Sequence, residues 1–358
     1  MTHTPTQPGG PSGLSTSDRA AAPVTVPADN GGREAARARA RMFTSLVSRN
    51  GAVVVLVVVV LAGWVLVPSF GSADNLRNTA LAASFIGIIA AGMTFVIISG
   101  GIDLSVGSTY ALAVILSASF ARYGSAAAVV VALGAAALAG LVQGLVVSWL
   151  RLPPFIVTLA GLTGIRGLVL FITHEGNDHP VIDGTRGFEV LGTGKLATIG
   201  TPVWIMLVVF GIGWWALNRT AFGQSVQAVG GNQDAAELMG LPVRRTTTIV
   251  YVVSALCAGL AGVLTTALSG GGQEARIGDS YELQAIAAVV IGGTLLAGGV
   301  GSVIGTLAGV LLLFVIQNLI VQGANLNSYV QQVVSGAFLL VVVIIQAALS
   351  ARSRTTDA

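Results

Sequence analysis

Beyond residue 50 the chain alternates between long apolar stretches and short polar or glycine-rich breaks. A helix needs about 20 apolar residues to cross roughly 30 Å of hydrocarbon. Stretches of that kind run over 51–67, 80–98, 106–121, 125–149, 155–173, 202–217, 246–268, 283–297, 303–321 and 329–349. The pattern predicts an all-α polytopic membrane protein with about ten transmembrane helices. Some of these are short or broken, above all 106–121 and 283–297, which flank Gly-rich segments. The first fifty residues differ: they hold Pro, Gly, Ser, Thr, Ala and Arg and no apolar run. Such a segment cannot bury enough surface to offset its ordering entropy, so 1–50 is expected to be a disordered tail. It is too long and too polar for a cleaved signal peptide, and the first span is expected to stay as an anchor. Residues 51–349 form the membrane domain and 350–358 a short polar tail.

Composition agrees with this division. Apolar residues make up 54% and charged residues 9%, against roughly 25% charged in a soluble domain. A soluble globule, a disordered chain and a coiled coil are excluded. The 47 glycines suit close helix packing. One cysteine, Cys257, leaves no disulfide framework and no zinc cluster. A net charge of +3 gives no case for nucleic acid. Cytoplasmic termini would place twelve Lys and Arg residues inside and five outside, with Arg166 in a span. The positive-inside rule therefore favours that orientation, although the N-terminal tail supplies six of the twelve.

Two loops are long enough to act. The outer loop 174–201 carries His174, Glu175, Asp178, His179, Asp183 and Glu189. Within the inner loop 218–245, Asn232 to Met239 has the marks of a short helix. Asn232 suits an N-cap, Asp234 and Glu237 suit the positive end, and Gly240 followed by Pro242 ends it. There is also an internal echo: GGIDLSVGS at 100–108 and GGVGSVIGT at 298–306 each follow an apolar stretch. Paired glycine-broken segments in transporters point to repeats around a central path.

Other motifs yield to plainer readings. Gly299, Gly301 and Gly305 imitate a dinucleotide fingerprint without the strand it must follow. Gly301, Gly305 and Gly309 lie four apart and are expected to form a packing face. His174 and His179 have the wrong spacing for a metalloprotease pair, and Gly194-Lys195-Leu196 is no P-loop. The chain is expected to bind no metal or cofactor of its own and to hydrolyse no ATP. Asp103, between Gly101 and Ser105, is expected to be the only acid close to the hydrocarbon zone. It is expected either to line a path or to cap the helix that follows, and the two roles are compatible. Arg166 either pairs with a carboxylate or reaches outward.

Five motifs occur in order: GGIDLSVGS, LPPFIVTLAGL at 152–162, TPVWIM at 201–206, AVGGNQDAAELMG at 228–240 and YELQAIAAVVIGGTLLAGG at 281–299. Over about 75–348 the chain resembles the permease subunit of ribose/xylose/galactose-type sugar ABC importers. The resemblance implies a pair of permeases (this chain twice, or with a sister), a cytoplasmic ATPase that binds ATP and Mg, an extracytoplasmic sugar-binding protein, and a bacterial plasma membrane as location. It implies that Gly231, Asn232, Asp234, Ala235, Ala236, Glu237, Leu238 and Gly240 belong to the coupling helix. A neutral sugar needs hydroxyls and amides, so Thr94, Ser99, Asp103, Ser105, Gln143 and Thr158 are expected to line the path. The chain departs from the ribose-type pattern at Gln284 and Val300, which leaves the sugar open. Branched-chain amino-acid permeases share the architecture, and an ion-coupled carrier is the alternative outside this class.

Overall fold

The computed structural model describes residues 51–182, 187–271 and 273–324, with single positions at 333, 336, 337 and 340. The expected span 329–349 and both tails lie outside these residues. Helix α1 is Gly51–Leu66. After a turn come α2 (Ala73–Ile98), α3 (Val106–Phe120), α4 (Ser125–Trp149) and α5 (Pro154–Ile172). The loop that follows holds a single turn, α6 (Val190–Thr193), and a hairpin of β1 (Lys195–Leu196) and β2 (Ile199–Gly200). Then come α7 (Thr201–Arg219), α8 (Ala221–Gly231), α9 (Gln233–Leu238), α10 (Val243–Ser269), α11 (Tyr281–Ile291) and α12 (Val303–Ala324). Among the described residues, six helices are long and apolar enough to cross a membrane: α2, α4, α5, α7, α10 and α12.

Hydropathy therefore overstates 106–121 and 283–297, and 51–67 yields α1 (Gly51–Leu66), which is also shorter than those six. Helix α3 has 15 residues, about 22 Å at 1.5 Å per residue, and cannot cross alone. Helix α11 stops at Ile291, and the expected span to 297 is broken by turns from Gly292. These half-helices run in opposite halves of the bundle. Segment 99–105 dips to mid-depth and α3 climbs from there, level with Thr265 and Thr266 of α10. Segment 273–280 approaches from the opposite end and α11 continues towards the end that carries α9. Gly278 makes this approach possible: with φ of +81°, it sits where a Cβ would lie 2.7 Å from the Gly107 carbonyl oxygen.

The core gathers on α2 and α10. The second half of α2, Ile86 to Ile98, is buried on every side. Helix α10 presses on α4 through small residues, as lipid-embedded helices do. Cβ atoms at Gly140 and Gly144 would lie 2.6 Å from the Tyr251 carbonyl and 2.9 Å from the Thr248 backbone. Gly305 and Gly309 of α12 face the backbone of α11, where added Cβ atoms would stand 2.1 Å from the carbonyls of Gly292 and Ala288. Gly301 does not share their face. It precedes the helix, which starts at Val303, and meets the side chain of Ile98 instead.

Candidate translocation pathway

At one end of the bundle α9 projects on a short stem. The Asn232 side chain caps it, accepting from Ala235 N–H at 2.9 Å. Gly240 (φ +78°) closes it, with Leu241 N–H donating to the Ala236 carbonyl at 3.0 Å. That is how a helix ends on glycine. Ala236 is buried against Val229 and Val243 and anchors the turn to α8 and α10. Leu238 and Met239 are left 89% and 79% exposed, two large apolar side chains on a polar loop. Glu237 pairs with Arg151 at 3.3 Å, an exposed contact that contributes little stability.

Just above α9 the two echoed glycine segments meet. Gly299 N–H donates to the Ile98 carbonyl at 2.8 Å. Gly100 and Gly298 each have φ of +84°, and a Cβ on Gly298 would lie 2.9 Å from the Gly100 Cα. Gly230 of α8 fills the same corner, with its missing Cβ pointing at the Ile98 carbonyl. The backbone of α8 thus packs directly against the segments that precede α3 and α12.

Asp103 lies buried at mid-depth with 1% exposure. One carboxylate oxygen accepts from Ser105 N–H at 3.0 Å and from Ser105 Oγ at 2.7 Å; the other accepts from Ser254 Oγ at 2.8 Å. The helix cap proper is Ser105, so Asp103 fastens the segment before α3 rather than standing at the cap position. Gln143 Nε2 donates to Ser105 Oγ at 2.9 Å, and Thr158 Oγ1 donates to the Ile102 carbonyl at 3.1 Å. Four of the six expected path residues therefore assemble here, tying α4, α5 and α10 to one irregular segment. The other two do not join them. Thr94 pairs with Thr306 at 2.9 Å, and Ser99 donates to its own helix.

None of the six is among the lining residues of a cavity in the other half of the bundle. A space of about 520 Å³ opens between α2, α3, α10, α11 and α12 in the half away from α9, a size usual for small-molecule sites. Its walls carry the amides of Asn78, Gln273 and Gln284 and the hydroxyls of Thr265 and Ser269. Aromatic rings complete it. Tyr110 and Tyr281 meet with ring centroids 5.0 Å apart, Tyr110 donates to Thr265 Oγ1 at 2.9 Å, and Phe85 and Phe314 face the same space. Among its described lining residues there is no Asp, Glu, Lys or Arg.

Arg166 closes the side of this region. It pairs with Asp279 at 2.7 Å and donates to the carbonyls of Ala275 and Ile277 at 2.8 and 3.0 Å. Its choice between a carboxylate and an outward reach is resolved in favour of the carboxylate. Asp103 is accordingly not alone: Asp279 lies on the re-entrant segment, and Glu282 opens α11. The 174–201 loop packs over the same end through an isolated bridge between Val181 and Gly271. His174 and Asp178 contact each other at 2.6 Å, and no group of metal-ligating side chains is found among the described residues.

Comparison with known proteins places this architecture. The model of a family described as branched-chain amino acid transport system / permease component matches residues 75–343. The chain belongs to this permease family. It is 40% identical over 292 residues to the inner membrane ABC transporter permease protein YjfF of Escherichia coli, covering 79% of this chain and 86% of that protein. It is 38% identical over 314 residues to the ribose import permease protein RbsC of Bacillus subtilis, covering 86% and 96%. The L-arabinose permease AraH of Azospirillum brasilense is 36% identical over 323 residues, covering 89% and 93%. No solved structure matches the chain. The chain is a multi-pass membrane permease subunit.

Proposed function

We propose that this permease carries a neutral monosaccharide, in the manner of the ribose and arabinose permeases it resembles. The observation that carries this reading is the uncharged lining of the 520 Å³ cavity. Amides and hydroxyls match the alternating donors and acceptors of a sugar, and tyrosine and phenylalanine rings offer faces for its C–H groups. An amino acid brings an ammonium and a carboxylate, which a membrane-buried site must compensate at a cost of several kcal/mol per unpaired ion. The cavity walls carry nothing to compensate them.

The remaining parts fit a binding-protein-dependent import cycle. A loaded sugar-binding protein docks on the end that holds the 174–201 loop. Release of the re-entrant segment 273–280, held by Arg166, admits the sugar to the cavity. At the other end Leu238 and Met239 of α9 seat in a partner ATPase, which binds ATP and Mg. Its closure shifts α8 and α9, and the glycine junction of Gly100, Gly230 and Gly298 passes the shift to the broken segments. The path then opens towards α9.

The test is uptake by vesicles holding this permease, its ATPase and its binding protein, offered labelled ribose, arabinose or leucine. Sugar uptake that falls at least about 10-fold in Gln284→Leu, with unchanged ATPase activity in the empty complex, supports the reading; a tenfold loss equals about 1.4 kcal/mol, the size of one lost hydrogen bond. Leucine uptake without sugar uptake overturns it.

A further inference from the structure

A second concavity, of about 700 Å³, lies where α4 ends and α10 begins, beside α9. It belongs neither to the sugar cavity nor to the exposed tip of α9. Leu145 and Trp149 form one wall, and Arg244, Arg245 and Ile249 form the other. The Arg244 guanidinium lies over the Trp149 ring, 5.0 Å from its centroid. Glu237 reaches the same groove, but its carboxylate is engaged by Arg151. Neither Arg244 nor Arg245 has an acidic partner among the described residues.

Their position sharpens the imbalance. Both arginines occupy the first turn of α10, a helix of 27 residues with no acidic residue there and no side-chain cap from Pro242. The helix dipole favours anions at that end and opposes cations. Two arginines at this place leave concentrated positive charge that an anion would relieve. The walls also say what the anion is attached to. Leu138, Leu141, Val142, Leu145 and Trp149 lie on one face of α4, each 40–61% exposed. This apolar strip runs from mid-helix straight into the groove. An aromatic ring beside basic residues at the end of an apolar strip is the pattern of a helix at a bilayer interface.

We propose that the groove binds an anionic phospholipid, its phosphate held by Arg244 and Arg245 and one acyl chain laid along the α4 strip. Arginine forks suit phosphate oxygens, and basic pockets between helix ends hold acidic headgroups. The site adjoins α9 through Leu241 and Pro242, so its occupancy sets the stem on which the coupling turn stands. The lipid reading is independent of which solute the permease carries.

The experiment uses the full chain in phosphatidylcholine bilayers, with brominated phosphatidylglycerol or brominated phosphatidylcholine added as quencher. The Trp149 signal is the difference between the wild-type chain and Trp149→Phe. Quenching at about thirtyfold lower mole fraction of phosphatidylglycerol is expected, from roughly 1 kcal/mol for each of two arginines near an anionic headgroup. That preference should shrink with added salt and vanish in the Arg244→Gln/Arg245→Gln double variant. Equal quenching by the two lipids in the wild-type chain overturns the proposal and needs no variant. So does a preference that survives the double substitution. Loss of the preference on adding millimolar inorganic phosphate would mark a soluble-phosphate site and overturn the lipid assignment. Loss on adding the partner ATPase alone would mark a protein contact and overturn it equally.

Discussion

Replacing Asp103 separates the anchoring of a broken helix from the handling of charge. The carboxylate receives three hydrogen bonds, from Ser105 N–H, Ser105 Oγ and Ser254 Oγ, at 1% exposure. Alanine removes all three acceptor contacts. A buried donor left without a partner costs about 1–3 kcal/mol. The Ser254 hydroxyl, inside α10, can turn to the carbonyl one helical turn back, but Ser105 stands before its helix and its N–H is fixed by the backbone. The expected loss for Asp103→Ala is therefore about 2–5 kcal/mol, dominated by that N–H. Asparagine keeps an oxygen for both Ser105 donors and presents an amide to Ser254 Oγ, which can accept. Charge assistance is lost, and so is the desolvation cost of a buried carboxylate. These changes oppose each other, and the net change is expected to stay within about 1 kcal/mol. The assay is thermal unfolding in detergent, with sugar uptake in vesicles that contain the ATPase and binding protein. Asparagine should keep most of both, and alanine should lose both. If the asparagine variant is as inactive as alanine while both remain folded, the charge itself works in transport and the anchoring account fails.

The other expectations are simpler. Gly305→Leu drives a side chain into the Gly292 carbonyl, 2.1 Å from the new Cβ, and should abolish stable expression; normal yield and melting would refute the packing role. Ala236→Pro removes the 3.0 Å bond from Ala236 N–H to the Asn232 carbonyl and costs about 3 kcal/mol in a helix interior. It should uncouple ATP hydrolysis from uptake while the chain still inserts, and wild-type uptake would sink the coupling assignment. Asn177→Cys in a Cys257→Ser background should react with an impermeant thiol reagent in intact cells; labelling confined to inverted vesicles would reverse the orientation.

Hydropathy located most of the long helices because each carries enough apolar length to be read from its own residues. It placed 125–149 and found α5, α7, α10 and α12 within a few residues at most ends. The start of α2 came seven residues late at 80, because Ala73–Thr79 contains Asp74, Asn75, Arg77 and Asn78. The helix start is held locally by the Ser72 cap, which accepts from Asn75 N–H at 3.3 Å, and across the bundle by the Asn75 side chain, which bonds Asn318 of α12 at 3.0 Å. The α9 turn was also legible, since its cap, charges and glycine stop are all local. Apolar content misled at 292–297, where the residues are as hydrophobic as a helix needs but Gly292 and Gly293 take the chain through turns.

The site itself was only half readable, and the reason is geometric. Asp103, Ser105, Gln143 and Thr158 were chosen for being polar in apolar surroundings, and such groups must find partners when buried. They found one another and so anchor a backbone break, with the buried Gln143 Oε1 as the acceptor among them that has no protein partner. Tyr110 and Tyr281, whose rings meet at 5.0 Å, come from half-helices that no local pattern relates. Their meeting depends on the opposed approaches of 99–105 and 273–280, and on Gly278 being small enough for the second to reach the first. The same two breaks that disqualify α3 and α11 as spans are therefore what create the cavity. With α3 and α11 continued as unbroken spans, the two half-helix starts whose tyrosines line that space would be lost.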